Sequence, residues 1–289
     1  MQAEMTGTFI SISDHEFDLI AAMVYEKTGI RLGVQKKSLV ETRLGKLIRQ
    51  LGFTSFGEYH NYILNDKTGA ALALLIEKIS TNHSYFFRES DHFSYLRETA
   101  LPEIMKQADA AGRRSLRIWC AGCAGGEESY TLAMILDDIS GAAIERRDVG
   151  ILATDISLGV LQKARTGIYP REKIQALPEA FREKYFTRYD SESVMVCKKL
   201  RDMILHKQLN LAEYPYPFKG KFDIVFCRNV MIYFDAHSRE KTISNIAASM
   251  HEGGYLFIGH SESLGREHTT LRYIKPAVYR KVPEGGAHG

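Results

Sequence analysis

Leu116-Arg-Ile-Trp-Cys-Ala-Gly-Cys-Ala-Gly-Gly-Glu-Glu128 decides the reading of the fold. A short β-type run, Leu116 to Cys120, passes directly into a turn holding Gly122, Gly125 and Gly126, and a helical segment from Glu127 to Asp138 follows. A glycine-rich strand-to-helix turn lets the backbone come close to a ligand and aims free N–H groups at it. The spacing is not G-x-G-x-x-G, and acids stand where a phosphate-binding helix would begin. Glu127 and Glu128 would repel a pyrophosphate and attract a cation such as a sulfonium or an amine. The alternative is that the two acids only complement the helix dipole.

The same pattern continues outward from this turn. β-type runs at Gly150 to Thr154, Phe222 to Cys227 and Tyr255 to Gly259 alternate with helical segments near Leu158 to Ala164 and His237 to Met250. That order predicts βαβ units and a mainly parallel, two-sided sheet, an α/β fold of Rossmann-like kind. Between Pro170 and His206 the pattern is interrupted by a charged segment with strand-like pieces at Ser193 to Lys198 and Met203 to Lys207. This reads as a small β insertion over about residues 170–207. The second strand ends in Asp155, 29 residues after Gly126. A carboxylate at that tip can accept hydrogen bonds from both hydroxyls of a ribose, or it can cap the helix that starts near Leu158.

Upstream, residues 11–80 read as an all-α N-terminal domain of about four short helices. Ser13 with Glu16 and Ser55 with Glu58 match the S/T-x-x-E capping box. Phe17, Ile20, Ala21, Val24 and Tyr25 share one helical face; Leu39, Val40, Leu44, Leu47, Ile48 and Leu51 share another. A helix from Asp91 to Ala108 opens the second domain, residues 81–283. The composition, 45% hydrophobic and 25% charged over 289 residues, supplies a core and excludes overall disorder. The longest stretch without Asp, Glu, Lys or Arg is ten residues, Thr242 to His251, against about 20 for a membrane span. The N-terminal residues lack a basic n-region and an apolar h-region, so a cytoplasmic location is expected. Lys and Arg exceed Asp and Glu by 38 − 35 = 3, too little to indicate nucleic-acid binding by bulk charge. Four cysteines fit a reducing compartment. Cys120 and Cys123 lack a second ligand pair and read as small-residue packing rather than a zinc or redox site. Residues 284–289 read as a disordered tail.

Three stretches together carry a resemblance. Ser80-Thr-Asn-His-Ser-Tyr-Phe-Phe-Arg-Glu89, the glycine turn ending in Gly126-Glu-Glu128, and Phe222-Asp-Ile-Val-Phe-Cys-Arg-Asn-Val-Met-Ile-Tyr-Phe-Asp235 resemble the CheR family of chemotaxis receptor methyltransferases. Order and spacing agree over residues 12 to 282; Cys227 to Tyr233 is the most specific run, and Gly259-His-Ser-Glu-Ser263 adds to it. The resemblance implies an S-adenosylmethionine-dependent protein-glutamate O-methyltransferase. Its products would be glutamate methyl esters on chemoreceptors and S-adenosylhomocysteine. It further implies that Asn82, Ser84, Arg88, Gly122, Glu127, Asp155, Asn210, Leu211, Arg228 and Asn229 bind the cofactor, and that Tyr233 and Arg228 act in catalysis. A related methyltransferase with another protein or small carboxylate as acceptor, and a non-catalytic S-adenosylmethionine-binding signalling module, are the competing readings.

The chemistry of these residues suits that ligand. Arg88 can bind a carboxylate such as that of the methionine moiety, or it can pair with Glu89 or Asp91. The amides of Asn82, Asn210 and Asn229 can orient adenine or the amino-acid part. The Tyr233 phenol can orient an incoming carboxylate or contact the polarised methyl, or it can pack within the apolar Met231-Ile-Tyr-Phe run. His83 and Ser84 depart from the family's small or threonine residues, and Cys123 lies inside the glycine turn, without loss of a required charge. A glutamate acceptor is already an anion at neutral pH. No metal is expected, since the ten histidines show no H-E-x-x-H spacing.

Seven basic residues and one acid lie between Lys27 and Arg49. Lys36, Arg43 and Lys46 fall near one side of the predicted helix. The resemblance makes an acidic helical cytoplasmic region of chemoreceptors the partner, which this face would steer; a solvated basic face is the alternative. Neither nucleic acid nor membrane insertion is expected. Family members that tether to a receptor's C-terminal peptide use a glycine-bearing loop before the strands of the insertion. Tyr189-Asp-Ser-Glu-Ser193 has no glycine, which argues against tethering.

Overall fold

The computed structural model describes residues 10–139, 147–264 and 270–283; the tail at 284–289, expected to be disordered, lies outside them. The chain divides into two compact units, one holding the residues up to Thr81 with Tyr233–Asp235, the other Asn82–Ile232 and the residues from Ala236 onward.

The first unit is helical: α1 (Asp14–Thr28), α2 (Lys37–Gln50), α3 (Phe56–Asn65) and α4 (Ala70–Ile79). α1 starts at a complete capping box, with the Glu16 N–H donating to Ser13 Oγ and the Ser13 N–H to Glu16 Oε2. It stops at Gly29, whose φ of 70° lets its N–H reach the Tyr25 carbonyl. Ser55 caps α3, but the Glu58 carboxylate turns to the N–H and hydroxyl of Thr54, so this box is half formed. Ile20, Val40, Leu44, Ile48, Phe56, Tyr59 and Leu75 are inaccessible to solvent and form the core. Burying an aliphatic or Phe side chain of this kind stabilises by about 1.5–3 kcal/mol. Tyr25 and Leu51, which the periodicity places on the apolar faces, are exposed near helix ends. Tyr25 Oη donates to Asp235 Oδ2 at 2.5 Å.

The second unit opens with α5 (Ser90–Tyr95), a π-helical turn (Leu96–Ala100) and α6 (Leu101–Ala110). Its central sheet contains β1 (Ser115–Ala121), β2 (Asp148–Asp155), β6 (Ile204–Gln208), β7 (Phe222–Cys227), β8 (Met250–Ile258), β9 (Leu271–Lys275) and β10 (Val278–Lys281) in the order β6-β2-β1-β7-β8-β10-β9. The first five in that order pair in parallel; β10 is antiparallel to both of its neighbours. The chain builds β2 on one side of β1 and later β7 on the other, so the strand order reverses around β1. Ligands of open α/β sheets bind beyond the carboxyl ends of the strands at such a point. α7 (Glu127–Asp138) follows β1, α8 (Leu158–Thr166) follows β2, and α11 (Ala236–Ala248) precedes β8. α7 is buried from Ser129 to Asp137 on every side, which explains its lack of a polar face in sequence.

The insertion is a three-stranded antiparallel sheet of β3 (Ile168–Pro170), β5 (Ser193–Val196) and β4 (Phe186–Arg188), with α9 (Glu179–Tyr185) before β4 and α10 (Lys198–Asp202) after β5. The strand-like piece at Met203 to Lys207, expected inside the insertion, instead forms β6 and pairs in parallel with β2 from Ile151↔Ile204 to Asp155↔Gln208. Its alternation, with Ile204 and His206 buried and Leu205 and Lys207 exposed, fits an insertion hairpin and a sheet edge equally well. No helix among the described residues is long and apolar enough to cross a membrane.

Candidate active site

The turn after β1 is held by contacts that only glycine permits. Gly122 has φ 76°, and a Cβ there would lie 2.3 Å from Val230 Cγ2, so the turns after β1 and β7 are in direct contact. Gly126 has φ 92°, and a Cβ there would stand 2.8 Å from Ala164 Cβ of α8. The N–H groups of Gly122 and Cys123 both donate to the Thr154 carbonyl of β2, at 2.8 and 2.9 Å. The Ala124 N–H donates to Asp155 Oδ2 at 2.9 Å, and Asp155 Oδ1 accepts the Ser157 N–H at 3.0 Å. Asp155 therefore fastens the glycine turn to the tip of β2, while Ser157 caps α8. Burial raises the Asp155 carboxyl above its ordinary value, against the pull of these N–H groups.

Glu127 opens α7 with its side chain 2% exposed. Its Oε1 is paired with Lys173, whose Nζ also donates to the Ser84 carbonyl at 3.3 Å. Glu127 Oε2 is buried without a hydrogen-bond partner among the described residues. Tyr169 Oη donates to the Gly125 carbonyl at 2.6 Å. Lys173 and Tyr169 both come from the insertion, and the sequence reading passed over them. Lys173 sits in the charged run Arg171-Glu-Lys173, which carries no motif.

Arg228 emerges from β7 with its side chain fully buried. Its Nη2 donates to the Arg88 carbonyl and to Glu89 Oε2, the latter at 3.1 Å, and Nη1 lies 3.2 Å from Glu128 Oε2. The guanidinium also sits 5.2 Å from the centre of the Phe93 ring. Nε and Nη1 have no hydrogen-bond acceptor among the described residues. Glu128 accepts from the Cys120 thiol at 3.2 Å, and burial raises its carboxyl despite Arg228. Burial would also raise Glu89, but Arg228 and the Asn229 amide outweigh it and hold that carboxyl below the ordinary range. Asn229, at φ 59°, donates its N–H to Glu262 Oε2 at 2.9 Å and its amide to Glu89 Oε1 at 3.3 Å. Glu262 accepts two further backbone N–H groups, from Gly259 at 2.7 Å and Ile232 at 3.1 Å. The Gly259-His-Ser-Glu-Ser263 run thus contributes a clamp on the turn after β7.

His92 is fully buried beside this group, with its ring centre 4.6 Å from that of His260. Burial, followed by the Arg228 charge, pushes His92 down to about 4. Glu89, His92 and His260 bring metal-type ligand atoms within 4.8 Å of one another, but Arg228 already places a positive charge on Glu89 Oε2. Cys120 and Cys123 are buried free thiols, which burial pushes well above their ordinary values.

The side chains of the remaining site residues make other contacts. Arg88 Nη1 donates to the His83 carbonyl at 3.0 Å, while Glu89 pairs with Arg228 instead. Asn82 is half-buried ahead of that segment. Asn210 folds onto its own turn, accepting the Ala212 N–H and donating to Glu213. Leu211 is buried and its carbonyl accepts from Tyr216 Oη at 3.1 Å. Both follow β6, which the bond from the Leu209 N–H to the Asp155 carbonyl ties to the tip of β2. In the helical unit, Lys36 Nζ lies 4.5 Å from the centre of the Tyr233 ring. Arg43 Nη1 donates to the Ile79 and Ser80 carbonyls at the end of α4, and Lys46 is exposed.

Glycines that admit close approach, three buried acids and unpartnered atoms on Glu127 and Arg228 fit a cationic ligand that also carries a carboxylate. A family model described as "CheR methyltransferase, SAM binding domain" matches residues 82–279, and one described as "CheR methyltransferase, all-alpha domain" matches residues 15–80. The Chemotaxis protein methyltransferase of Borreliella burgdorferi is 42% identical over 272 residues, covering 94% of this chain and 96% of that protein. The Probable chemotaxis protein methyltransferase of Rhizobium etli is 36% identical over 272 residues, covering 90% of this chain and all of that protein. The Chemotaxis protein methyltransferase of Escherichia coli is 36% identical over 259 residues, covering 88% and 86%. The chain belongs to the CheR methyltransferase family and is an S-adenosylmethionine-dependent methyltransferase.

Proposed function

We propose that this enzyme methylates glutamate side-chain carboxylates of chemoreceptors on their cytoplasmic helical region. The observation that carries the reading is Arg228, a buried guanidinium at the tip of β7 whose Nε has no hydrogen-bond acceptor among the described residues. Such a group favours an anionic acceptor and disfavours an ammonium. The relatives named chemotaxis protein methyltransferases support the same reading. When bound, S-adenosylmethionine supplies a methyl group on a positively charged sulfur, a good leaving group. Asp155 would receive the ribose hydroxyls, Glu127 the ammonium of the amino-acid end, and Arg88 with Lys173 its carboxylate. Asn82, Ser84, Asn210 and Leu211 would border the nucleoside, and Gly122 would lie in the turn beneath it, packed on Val230.

A glutamate acceptor has an ordinary pKa of about 4.3, so it needs no general base near pH 7. Arg228 would orient the acceptor oxygen, and the Tyr233 phenol is the second group assigned to catalysis. Alignment and exclusion of water do the work, an effect that reaches about 7–11 kcal/mol. Incubation with methyl-labelled S-adenosylmethionine and receptor-bearing membranes should label the receptor, and mild base should release the label as methanol. Base-stable label would move the reading to an amine acceptor, and label found only on a small carboxylate would replace the receptor as substrate.

A further inference from the structure

Away from the glycine turn, a cavity of about 430 Å³ opens along the outer edge of the sheet, between the end of α8, α10 and β6. Its walls carry Arg165, Lys198, Arg201 and Lys207 against a single acid, Asp202. That acid is engaged by Lys198 Nζ at 2.5 Å, which leaves Arg165, Arg201 and Lys207 without a carboxylate in the cavity wall. Convergence of like charges is unfavourable unless an anion offsets it.

Two unpaired polar atoms lie behind this wall. Arg201 Nε and His206 Nε2 are inaccessible and have no hydrogen-bond partner among the described residues, and His206 as a whole is 6% exposed. Leaving such groups unpaired is unfavourable. The arginine at the rim is fixed, because Arg165 Nη2 donates to the His206 carbonyl at 3.0 Å. Burial and the Arg165 charge push His206 down to about 4, so near pH 7 its ring is neutral and can donate or accept at Nε2. Leu205, 58% exposed, supplies an apolar wall beside the charges. The volume lies within the range of about 300–1,000 Å³ typical of small-ligand sites, larger than a lone inorganic anion needs.

We propose that this cavity binds a phosphate-bearing small molecule of nucleotide size. Its phosphates would be held by Arg165, Arg201 and Lys207, with Leu205 against the organic part. The site is separate from the residues assigned to S-adenosylmethionine, and none of its charged groups takes part in methyl transfer.

Calorimetry on the full chain, in low-salt buffer free of phosphate and with S-adenosylhomocysteine saturating, should detect ATP binding. Arg201→Gln and Lys207→Gln should each weaken that binding by about fivefold or more, as expected for loss of one charge-assisted contact. Lys106→Gln, on the exposed face of α6, should leave it unchanged. Inorganic pyrophosphate that displaces ATP assigns recognition to the phosphates; ATP binding that pyrophosphate fails to displace assigns part of it to the nucleoside. Both outcomes support the site. Absence of binding at about 1 mM ligand overturns it. So does an affinity unaltered in both variants, or displacement of ATP by a polyglutamate peptide at lower concentration than by pyrophosphate, which would make the cavity a peptide site. Lys207 is exposed, so its variant keeps the test valid should Arg201→Gln fail to fold.

Discussion

Removing the Lys173 ammonium would strip the buried Glu127 carboxylate of its cationic partner and free the Ser84 carbonyl at the same time. A fully buried pair broken on one side costs about 3–5 kcal/mol, but the Lys173 side chain is 41% exposed and partly screened. About 1–2 kcal/mol is then the expected size, or roughly a tenfold loss of S-adenosylhomocysteine affinity in Lys173→Met, with Lys173→Arg recovering most of it. Unchanged affinity in the methionine variant would show that Glu127 does not depend on its partner. The motif alone treats Glu127 and Glu128 alike, whereas the fold separates them: one faces the insertion and the other faces Arg228. That difference arises from side chains about 45 and 100 residues downstream, which no local spacing encodes. His92 gives a pH test with a definite sign. Its folded pKa of about 4 lies below the ordinary 6.5, so the unfolded chain takes up the proton first. The stability it contributes is present above pH 6.5 and is lost as pH falls toward 4. The difference in thermal midpoint between wild type and His92→Gln should therefore be smaller near pH 5 than near pH 7.5, and a difference independent of pH would remove His92 as a source of acid sensitivity.

The turn after β7 depends on a side chain from the turn after β8. Glu262 accepts the N–H groups of Asn229, Ile232 and Gly259, and this holds Asn229 in its left-handed conformation beside Glu89. Glu262→Gln keeps the shape but sets an amide donor against these donors. Methyl transfer should fall by about tenfold or more, as for a buried group left unsatisfied, while circular dichroism stays that of wild type. A variant with normal turnover would mean that the turn holds itself. The strands that frame this site were legible because β1, β2 and β7 are apolar runs closed by glycine, Asp155 or Arg228-Asn229. The β9–β10 hairpin was not. Leu271-Arg-Tyr-Ile-Lys275 and Val278-Tyr-Arg-Lys281 are short and interleaved with charge, and their place in the sheet comes from β8, which pairs with Val278, Tyr279 and Arg280. Edge strand β6 was misplaced for the same reason: its pattern states which side chains are buried but not which sheet buries them. The capping box of α1 is legible because Ser13 and Glu16 satisfy one another locally, whereas Glu58 turns to Thr54.

The chain crosses between its two units within one short run, for Arg228 to Ile232 group with the sheet while Tyr233–Asp235 group with the helices. The helical unit holds Tyr233 and the basic face of α2, and the other unit holds the residues proposed for the cofactor. The basic face is also less uniform than its spacing suggests. Arg43 spends its guanidinium on the carbonyls that end α4, and Lys36 lies over the Tyr233 ring, so only Lys46 of the three is a plainly solvated charge. Reversing Arg43 would confound docking with loss of a helix cap, and the informative variant leaves it in place. Lys36→Glu with Lys46→Glu should bind S-adenosylhomocysteine as wild type does, since neither lysine is assigned to the cofactor. Its methylation of receptor at low receptor concentration should fall, because steering of an acidic helix acts on encounter. Added salt should slow the wild type and affect the double variant less, with the reach of these charges shortened to about 8 Å at physiological ionic strength. Equal rates for the two proteins across the salt series, with the fold confirmed by circular dichroism, would make the face of α2 a solvated surface and place receptor docking on other residues.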